Sequence, residues 1–199
     1  TSLREITRDA EVNLAAVNYH FGSKTGLFEA VLERRLLPLN RERLEALDRL
    51  EARGAPEPIR IEEILDALLR PAVRLIGVPA SKGASFPKLF ARVILEPNPE
   101  FQQIFRRQFD EIGVRFHEAL SRCLPNLPRA ELIWRAQFLI GAMAHTICHL
   151  GSIRDLCGDA DAEPVDIDEL VGRLIAFATP GLKAPAPTPS PTGVQGDHP

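Results

Sequence analysis

One stretch near the amino terminus combines side chains that contact nucleic acid with an absence of acidic ones. The stretch 13–24 contains Asn18, Tyr19, His20 and Lys24, and it contains no aspartate or glutamate. An asparagine amide can hydrogen-bond to base edges, tyrosine and histidine can reach bases or phosphates, and alanine can contact a thymine methyl group. A lysine at a helix start can bind a phosphate together with free backbone N–H groups. The pattern indicates a surface that approaches DNA.

Helix-start signals place these residues in two short helices joined by a tight turn. Ser2 begins a capping box with the glutamate three residues later, and Asn13 and Ser23 can cap a second and a third helix. Val17 and Phe21 form the inner face of the second helix, so its other side chains should point outward. This arrangement is a helix-turn-helix, whose second helix inserts its amino-terminal part into the DNA major groove.

The segment from Thr1 to about Arg35 resembles the DNA-binding part of the TetR (tetracycline-repressor-like) family of transcription regulators. The features that carry the resemblance are Thr1-Ser2, Val12, Val17, Tyr19-His20-Phe21, Ser23-Lys24 and Leu27-Phe28. The resemblance implies an all-α protein with a helix-turn-helix head and a helical-bundle domain for ligand binding and dimerisation. It also implies a homodimer that binds a palindromic double-stranded DNA operator and a small-molecule effector. We assign the DNA contacts to Thr1, Ser2, Asn13, Leu14, Ala15, Ala16, Asn18, Tyr19, His20 and Lys24.

Two features depart from the family's pattern. The family has a further helix before this point, so we expect the sequence to be trimmed and Leu3, Ile6 and Phe21 to lose part of their cover. The family also usually has glycine at the turn where this chain has Glu11. If Glu11 is left-handed, its side chain costs on the order of 1 kcal/mol.

Composition favours a globular protein of the cytoplasm. The 199 residues are 45% hydrophobic and carry a net charge of −3, and the segment 1–24 balances three basic against three acidic residues. A basic footprint for DNA is therefore absent from that segment. No apolar run approaches the length of a membrane span, and nothing resembles a signal peptide. The three cysteines show no CxxC spacing, which argues against a disulfide framework.

The chain divides into three parts, and no β pattern stands out. Residues 1–37 form the DNA-binding head with the start of a connecting helix, 38–179 a helical regulatory and dimerisation domain, and 180–199 a disordered Pro-rich tail. Pro38 is expected to kink or break the connecting helix. Apolar spacing predicts one helix that starts at Pro99 and continues to about residue 124.

Two helices near the carboxy terminus are expected to pair with their copies. The helix from Arg129 to Leu150 is apolar nearly all round, so it needs cover on two sides. Together with the helix over 167–178, it can form a four-helix interface about a twofold axis, as the family resemblance also implies. The alternative is burial of both helices inside a monomer. The predicted interface residues are Leu132, Trp134, Phe138, Met143, Leu170, Leu174 and Ile175.

Phenylalanines concentrate in the middle of the chain, where they form either plain core or the lining of an apolar ligand pocket. The pocket interpretation rests mostly on the family resemblance, which implies an effector site in this domain. Its predicted residues are Phe86, Phe90, Ile94, Phe105, Phe109, Arg115, Phe116, His117, His145 and His149.

The sequence provides little support for a catalytic site or a metal-binding site. His145 and His149 lie one helical turn apart with Cys148 beside them, a spacing that can present two ligands to one metal ion. We favour polar groups that line a cavity or an interface, because no HExxH or paired-cysteine frame accompanies them. Since no nucleophile elbow, Gly-rich phosphate loop or matched acid pair occurs, we assign no catalytic residue, cofactor or metal.

Two functions follow from these patterns. The favoured one is a ligand-responsive DNA-binding transcription regulator, a repressor released from its operator by a small apolar molecule. The alternative is a small-molecule-binding helical protein or enzyme whose amino-terminal hairpin is structural. The acid-free outward face of 13–20 favours the regulator, because a structural hairpin has no reason to exclude acids there.

Overall fold

A computed structural model describes residues 2–53, 58–77, 89, 99–158 and 166–187. Every element in this described part is helical, which confirms the all-α fold class. The helices are α1 (Leu3–Asp9), α2 (Leu14–Phe21), α3 (Lys24–Ala52), α4 (Ile61–Gly77), α5 (Pro99–Arg107), α6 (Asp110–Cys123), α7 (Arg129–Cys148), α8 (Leu150–Cys157) and α9 (Ile167–Lys183).

Local capping builds the three amino-terminal helices. The Ser2 hydroxyl accepts a hydrogen bond from the Glu5 N–H, and the Glu5 carboxylate accepts one from the Ser2 N–H at 2.6 Å. Asn13 and Ser23 accept backbone N–H bonds of 2.8 and 3.0 Å within the first turns of α2 and α3. All three predicted caps are confirmed. Such caps satisfy backbone donors that have no partner inside the helix.

The turn between α1 and α2 holds Glu11 in the left-handed region, with φ 55°. A hydrogen bond of 2.9 Å from the Val12 N–H to the Thr7 carbonyl closes this turn. The backbone strain expected for a residue with a side chain at this position is therefore present.

Helix α3 runs through Pro38 without interruption over 29 residues, so the expected break does not occur. A proline inside a helix removes one backbone hydrogen bond and costs about 3 kcal/mol. Burial on both sides of the proline offsets this cost, since Leu36, Leu39 and Leu47 are all buried. One continuous helix therefore joins the first two helices to the remainder of the molecule.

Helix α4 lies at the centre of the core. It contacts α3, α6, α7 and α9. Ile64, Leu65 and Leu69 on this helix are almost fully buried. Pro71 lies inside the helix without ending it. The continuous apolar stripe on α4 explains its central place, because a helix with one wide apolar face packs best where several neighbours meet.

The single helix predicted from Pro99 to residue 124 is wrong, because the structure divides it into α5 and α6. At the joint, the Gln108 and Phe109 N–H groups bond to carbonyls three residues back rather than four. The Gln108 carbonyl instead accepts a bond of 2.5 Å from the Asn40 side chain of α3. A tertiary contact thus supports a break that the apolar spacing does not indicate.

The last helix extends past the predicted end of the folded region. Helix α9 continues through Pro180 to Lys183, and Leu182 is only 2% exposed. The boundary after residue 179 is therefore corrected to lie beyond 183, while residues 188–199 of the predicted tail fall outside the described part. Among the helices that the structure describes, none is both long and apolar enough to cross a lipid bilayer.

Candidate nucleic-acid interface

Helix α2 presents nearly its whole circumference to solvent. None of its residues is buried, and the Tyr19 side chain is 86% exposed. Ala15, Ala16, Asn18 and His20 are also exposed, as the predicted DNA-contacting set requires. Leu14, the other predicted contact on this helix, is half-buried. Ser2 and Asn13 are exposed but serve as caps, and Thr1 lies outside the described residues.

The start of α3 approaches α2 so closely that only glycine fits there. A Cβ atom on Gly26 would lie 2.1 Å from the backbone oxygen of Phe21, far inside contact distance. Gly22 ends α2 with φ 70°. Lys24 is exposed at the first residue of α3. The two glycines therefore set the distance between the recognition helix and the lysine that is expected to bind phosphate.

The charges of α1 are arranged locally. The pKa of Glu5 is lowered, first by the hydrogen bond from the Ser2 backbone, so the carboxylate stays ionised as part of the cap. Arg8 and Asp9 form an exposed ion pair of 3.1 Å. Arg4 is exposed. Two of the three acids in the segment 1–24, Glu5 and Asp9, are thus already bound by neighbouring groups of the same segment.

The apolar side of these helices has incomplete cover among the described residues. Leu3, Ile6 and Val17 are half-buried, and Val12 and Phe21 remain 49% and 38% exposed. The inner face predicted for α2 is therefore only partly buried. Helices α1 and α2 therefore depend on caps and turns more than on packing.

Two contacts tie α3 to the joint region of α5 and α6. The Phe28 ring, on the second turn of α3, lies against the Phe101 ring of α5 with centroids 4.4 Å apart. Further along α3, Asn40 donates to the Gln108 carbonyl. Any displacement of α5 therefore acts on α3 at two places, one of them close to the recognition helix.

Arg43 is a buried cation, whereas the charged residues over 41–45 predicted a solvated face that includes it. Its side chain is only 4% exposed, and burial lowers its pKa to about 10, so it is charged at neutral pH. It donates to the Leu68 carbonyl of α4 at 2.8 Å and to the Asn40 side chain at 3.2 Å. Its guanidinium also lies 5.9 Å from the centre of the Phe109 ring. The sequence did contain a signal for this burial, because Arg43 lies four residues from both Leu39 and Leu47 and so shares the buried face of α3.

The predicted pocket residues are not gathered into one site within the described part. The Phe105 and Phe109 rings are tilted neighbours with centroids 4.9 Å apart, and Phe116 is buried in the core. Arg115 instead binds the carboxylates of Asp48 and Glu51 on α3, at 2.6 and 2.9 Å. His117 is half-buried on α6, and His145 and His149 are exposed on α7 and at its end. Phe86, Phe90 and Ile94 lie outside the described residues.

An open cleft lies between α3, α4 and α9, with a volume of about 510 Å³. Arg49, Arg53, Arg60, Glu62 and Glu63 contribute to its lining, so it is strongly charged. Hydrogen bonds lower the pKa of Glu63, the first from the Arg60 backbone and the second from the Arg53 side chain. The cleft shares no residue with the predicted apolar pocket.

The predicted dimer residues separate into two groups. Leu132, Met143, Leu170 and Leu174 are buried within the protomer, so their assignment to an interface is corrected to the core. Trp134 and Phe138, by contrast, are 60% and 65% exposed, and their rings are neighbours with centroids 6.1 Å apart. Ile175 is half-buried.

Helix α9 also carries an exposed aromatic residue that the predicted set lacks. Phe177 is 71% exposed, and α9 packs beside α7. The exposure of Phe177 could have been predicted from the sequence, because this residue lies off the apolar stripe that α9 buries.

Comparisons with known families agree with this architecture. A family model described as "Tetracyclin repressor-like, C-terminal domain" matches residues 66–181, more than half of the chain. A second model, "Bacterial regulatory proteins, tetR family", matches residues 1–31, which include α1 and α2. No curated protein matches the chain significantly. The two family models and the exposed helix-turn-helix confirm the resemblance seen in the residues, and the chain belongs to the TetR family of DNA-binding transcription regulators.

Proposed function

We propose that the protein is a homodimeric, ligand-responsive repressor that leaves a palindromic operator when a small apolar molecule binds. The observation that carries this proposal is α2, an acid-free helix with no buried residue, held beside an exposed lysine by a glycine contact. Six of the eight residues of α2 are exposed, which is costly for a merely structural hairpin but necessary for a helix that enters the major groove. A regulator of this kind acts in the cytoplasm, where the DNA lies.

The DNA contacts divide by chemistry. Asn18, Tyr19 and His20 are exposed on α2 and reach base edges or nearby phosphates, while Ala15 and Ala16 are small enough to contact thymine methyl groups. Lys24 binds backbone phosphate at the start of α3. Base contacts set sequence preference, whereas phosphate contacts strengthen binding to all sequences alike.

The dimer forms through the exposed apolar face of Trp134, Phe138 and Phe177. Three large aromatic side chains on adjacent helices form the kind of surface that a monomer rarely leaves in water. A twofold axis through this face pairs α7 and α9 with their copies and presents two recognition helices about one DNA turn apart, ~34–36 Å.

The effector signal passes from α5 and α6 to the head through α3. Phe101 and Gln108 are two of the groups of this region that contact α3, at Phe28 and Asn40. A ligand that binds among the phenylalanines and moves this region alters the position of α3, and α3 carries the recognition helix. The ligand shifts the equilibrium between the DNA-binding and the released conformations only to the extent that it binds the two with different affinities.

Operator binding tests the proposal directly. The protein is titrated against DNA that flanks its own gene, at low and physiological salt, with a scrambled duplex as control. We expect saturable binding to the native sequence that survives physiological salt. Equal, salt-erased binding to both duplexes, together with no enrichment in random-sequence selection, would contradict the proposal.

Two substitutions then separate the contact types. Tyr19→Ala should change the preferred sequence, whereas Lys24→Ala should weaken binding to all sequences and reduce the salt dependence of affinity by about one phosphate contact. Both variants should remain dimeric, because their side chains lie far along the chain from the aromatic face. Unchanged affinity in Lys24→Ala would refute the phosphate assignment.

Sedimentation tests the dimer. Phe138→Glu places a charge in the aromatic face and should convert the dimer to a monomer at micromolar concentration. Leu156→Glu is a matched control, because Leu156 is 88% exposed on α8 outside that face. If Phe138→Glu remains a dimer, or if Leu156→Glu loses the dimer equally, then the assignment of the interface to the aromatic face is wrong.

The signal route is tested with an effector found by screening for release of the operator. Asn40→Ala and Phe101→Ala should reduce the ratio of operator affinities without and with the effector. Leu37→Ala, an exposed position on the same helix, should leave the ratio unchanged. Unchanged coupling in both route variants would show that α3 is not moved through these contacts.

A further inference from the structure

Two histidine rings lie side by side at the end of α7. The rings of His145 and His149 are nearly parallel, with an angle of 21° between their planes and centroids 4.3 Å apart. Both side chains are exposed. The spacing of four residues brings them to one face of the helix end, so both rings are within reach of one shared ligand.

The backbone sets the protonation pattern of one ring. Nδ1 of His149 lies 3.0 Å from the carbonyl oxygen of His145. A carbonyl oxygen can only accept a hydrogen bond, so Nδ1 carries the proton and donates it. In the neutral ring, the lone pair is then on Nε2, which is free to bind a ligand. Metal-binding histidines typically donate their second ring nitrogen in this way, because the bond fixes the tautomer and orients the ring.

The two imidazoles are the protein ligands available at this place among the described residues. In the described part of the chain, no three side chains of the His, Cys, Asp and Glu types meet to hold a metal. Cys148, between the histidines in sequence, is half-buried, whereas both imidazoles are exposed. Neutral imidazole nitrogen suits zinc, nickel and copper rather than magnesium or calcium.

We propose that His145 and His149 together bind one divalent transition-metal ion of the zinc, nickel and copper class through their imidazole nitrogens. Zinc binds imidazole nitrogen at about 2.0–2.1 Å, so the two exposed side chains rotate out of their stacked arrangement to reach one ion. Water completes the coordination. This site is separate from the proposed DNA and effector sites.

The site lies in line with the exposed aromatic face. Trp134, Phe138, Gly141, His145 and His149 follow one another at spacings of three or four residues, which is one stripe of a helix. The stripe is apolar at one end and carries the two imidazoles at the other. Metal binding would therefore order the carboxy-terminal end of α7, where the helix gives way to α8.

Calorimetric titration of the full chain with zinc chloride and with nickel chloride tests the proposal. We expect saturable binding that weakens roughly tenfold or more in His145→Ala and in His149→Ala. His20→Ala and His117→Ala are the matched controls and should bind as the unmodified protein does. Circular dichroism should show equal helix content in all four variants, since the two substituted side chains of the pair are exposed.

Nuclear magnetic resonance of the imidazole nitrogens provides the second readout. Zinc should shift the Nε2 signal of His149 and one nitrogen signal of His145, and should leave those of His20 and His117 in place. Unchanged affinity in the doubly substituted protein, an equal loss in a control variant, or no saturable binding would overturn the proposal.

Discussion

Helices α2 and α4 differ in how the chain holds them in place. Helix α2 has no buried residue, and its ends depend on Asn13, Gly22 and the close approach at Gly26. Most of the described apolar residues of helix α4 are buried, and the helix contacts four other helices. The first is positioned by backbone geometry and capping, and the second by burial of side chains. Of these two helices, the one proposed to contact DNA is thus the one with less packing energy to lose.

The largest expected effect concerns burial in the body of the molecule. Leu47→Ala removes a side chain with no exposed surface from α3 and should lower the free energy of unfolding by about 2–5 kcal/mol. Leu37→Ala on the same helix, where the side chain is 54% exposed, should change it by less than about 0.5 kcal/mol. Urea denaturation followed by circular dichroism measures both. Similar losses in the two variants would mean that burial does not separate the two faces of α3.

The next effect concerns backbone geometry in the head. Gly26→Ala forces a Cβ against the Phe21 oxygen, and the required shift should cost about 1–3 kcal/mol in the region of α2. Operator affinity should fall while the unfolding of the body is unchanged. Gly113→Ala on α6 meets no atom within 4 Å and should instead stabilise the protein by roughly 0.5–1 kcal/mol. The measurement is hydrogen exchange of the α2 amides. Equal protection of these amides in the two variants would contradict the prediction.

A smaller effect tests the strained turn. Glu11→Gly relieves the left-handed backbone and should stabilise the head by about 1 kcal/mol, less the extra flexibility of glycine in the unfolded chain. The same substitution at Glu33, an exposed residue inside α3, should destabilise by roughly 1 kcal/mol. We expect the two substitutions to change the free energy of unfolding in opposite directions, as measured by thermal unfolding. Equal signs would show that the turn carries no strain.

The smallest expected effect is on the pH dependence of stability. The folded pKa of Glu63 is lowered by the hydrogen bonds from Arg60 and Arg53, so its contribution is present above the unfolded pKa near 4.5 and is lost as pH falls through the folded value. Glu63→Gln should therefore flatten the acid side of the stability curve by roughly 0.2–1 kcal/mol. Glu45→Gln, an exposed neighbour on α3, serves as control. An unchanged acid limb in Glu63→Gln would contradict the assignment.

Features that depend on neighbouring residues were predictable from the amino-acid sequence. The caps at Ser2, Asn13 and Ser23 and the strained turn at Glu11 each need only a few residues, and the structure contains them all. Family membership followed from the same short stretch, since the recognition segment is contiguous. The DNA contacts and the effector pocket remain proposals, because each requires a partner molecule.

Features that depend on distant residues were not predictable, and the errors share this cause. Pro38 does not break α3, because leucines on both sides of it are buried against other helices. Gln108 interrupts the predicted helix, because Asn40 reaches its carbonyl from α3. Leu132 and Trp134 both belong to an apolar helix, yet one is 1% and the other 60% exposed. Apolar spacing identifies that α7 has two apolar sides; only the packing of α4 and α9 decides which side is core and which is left for a partner.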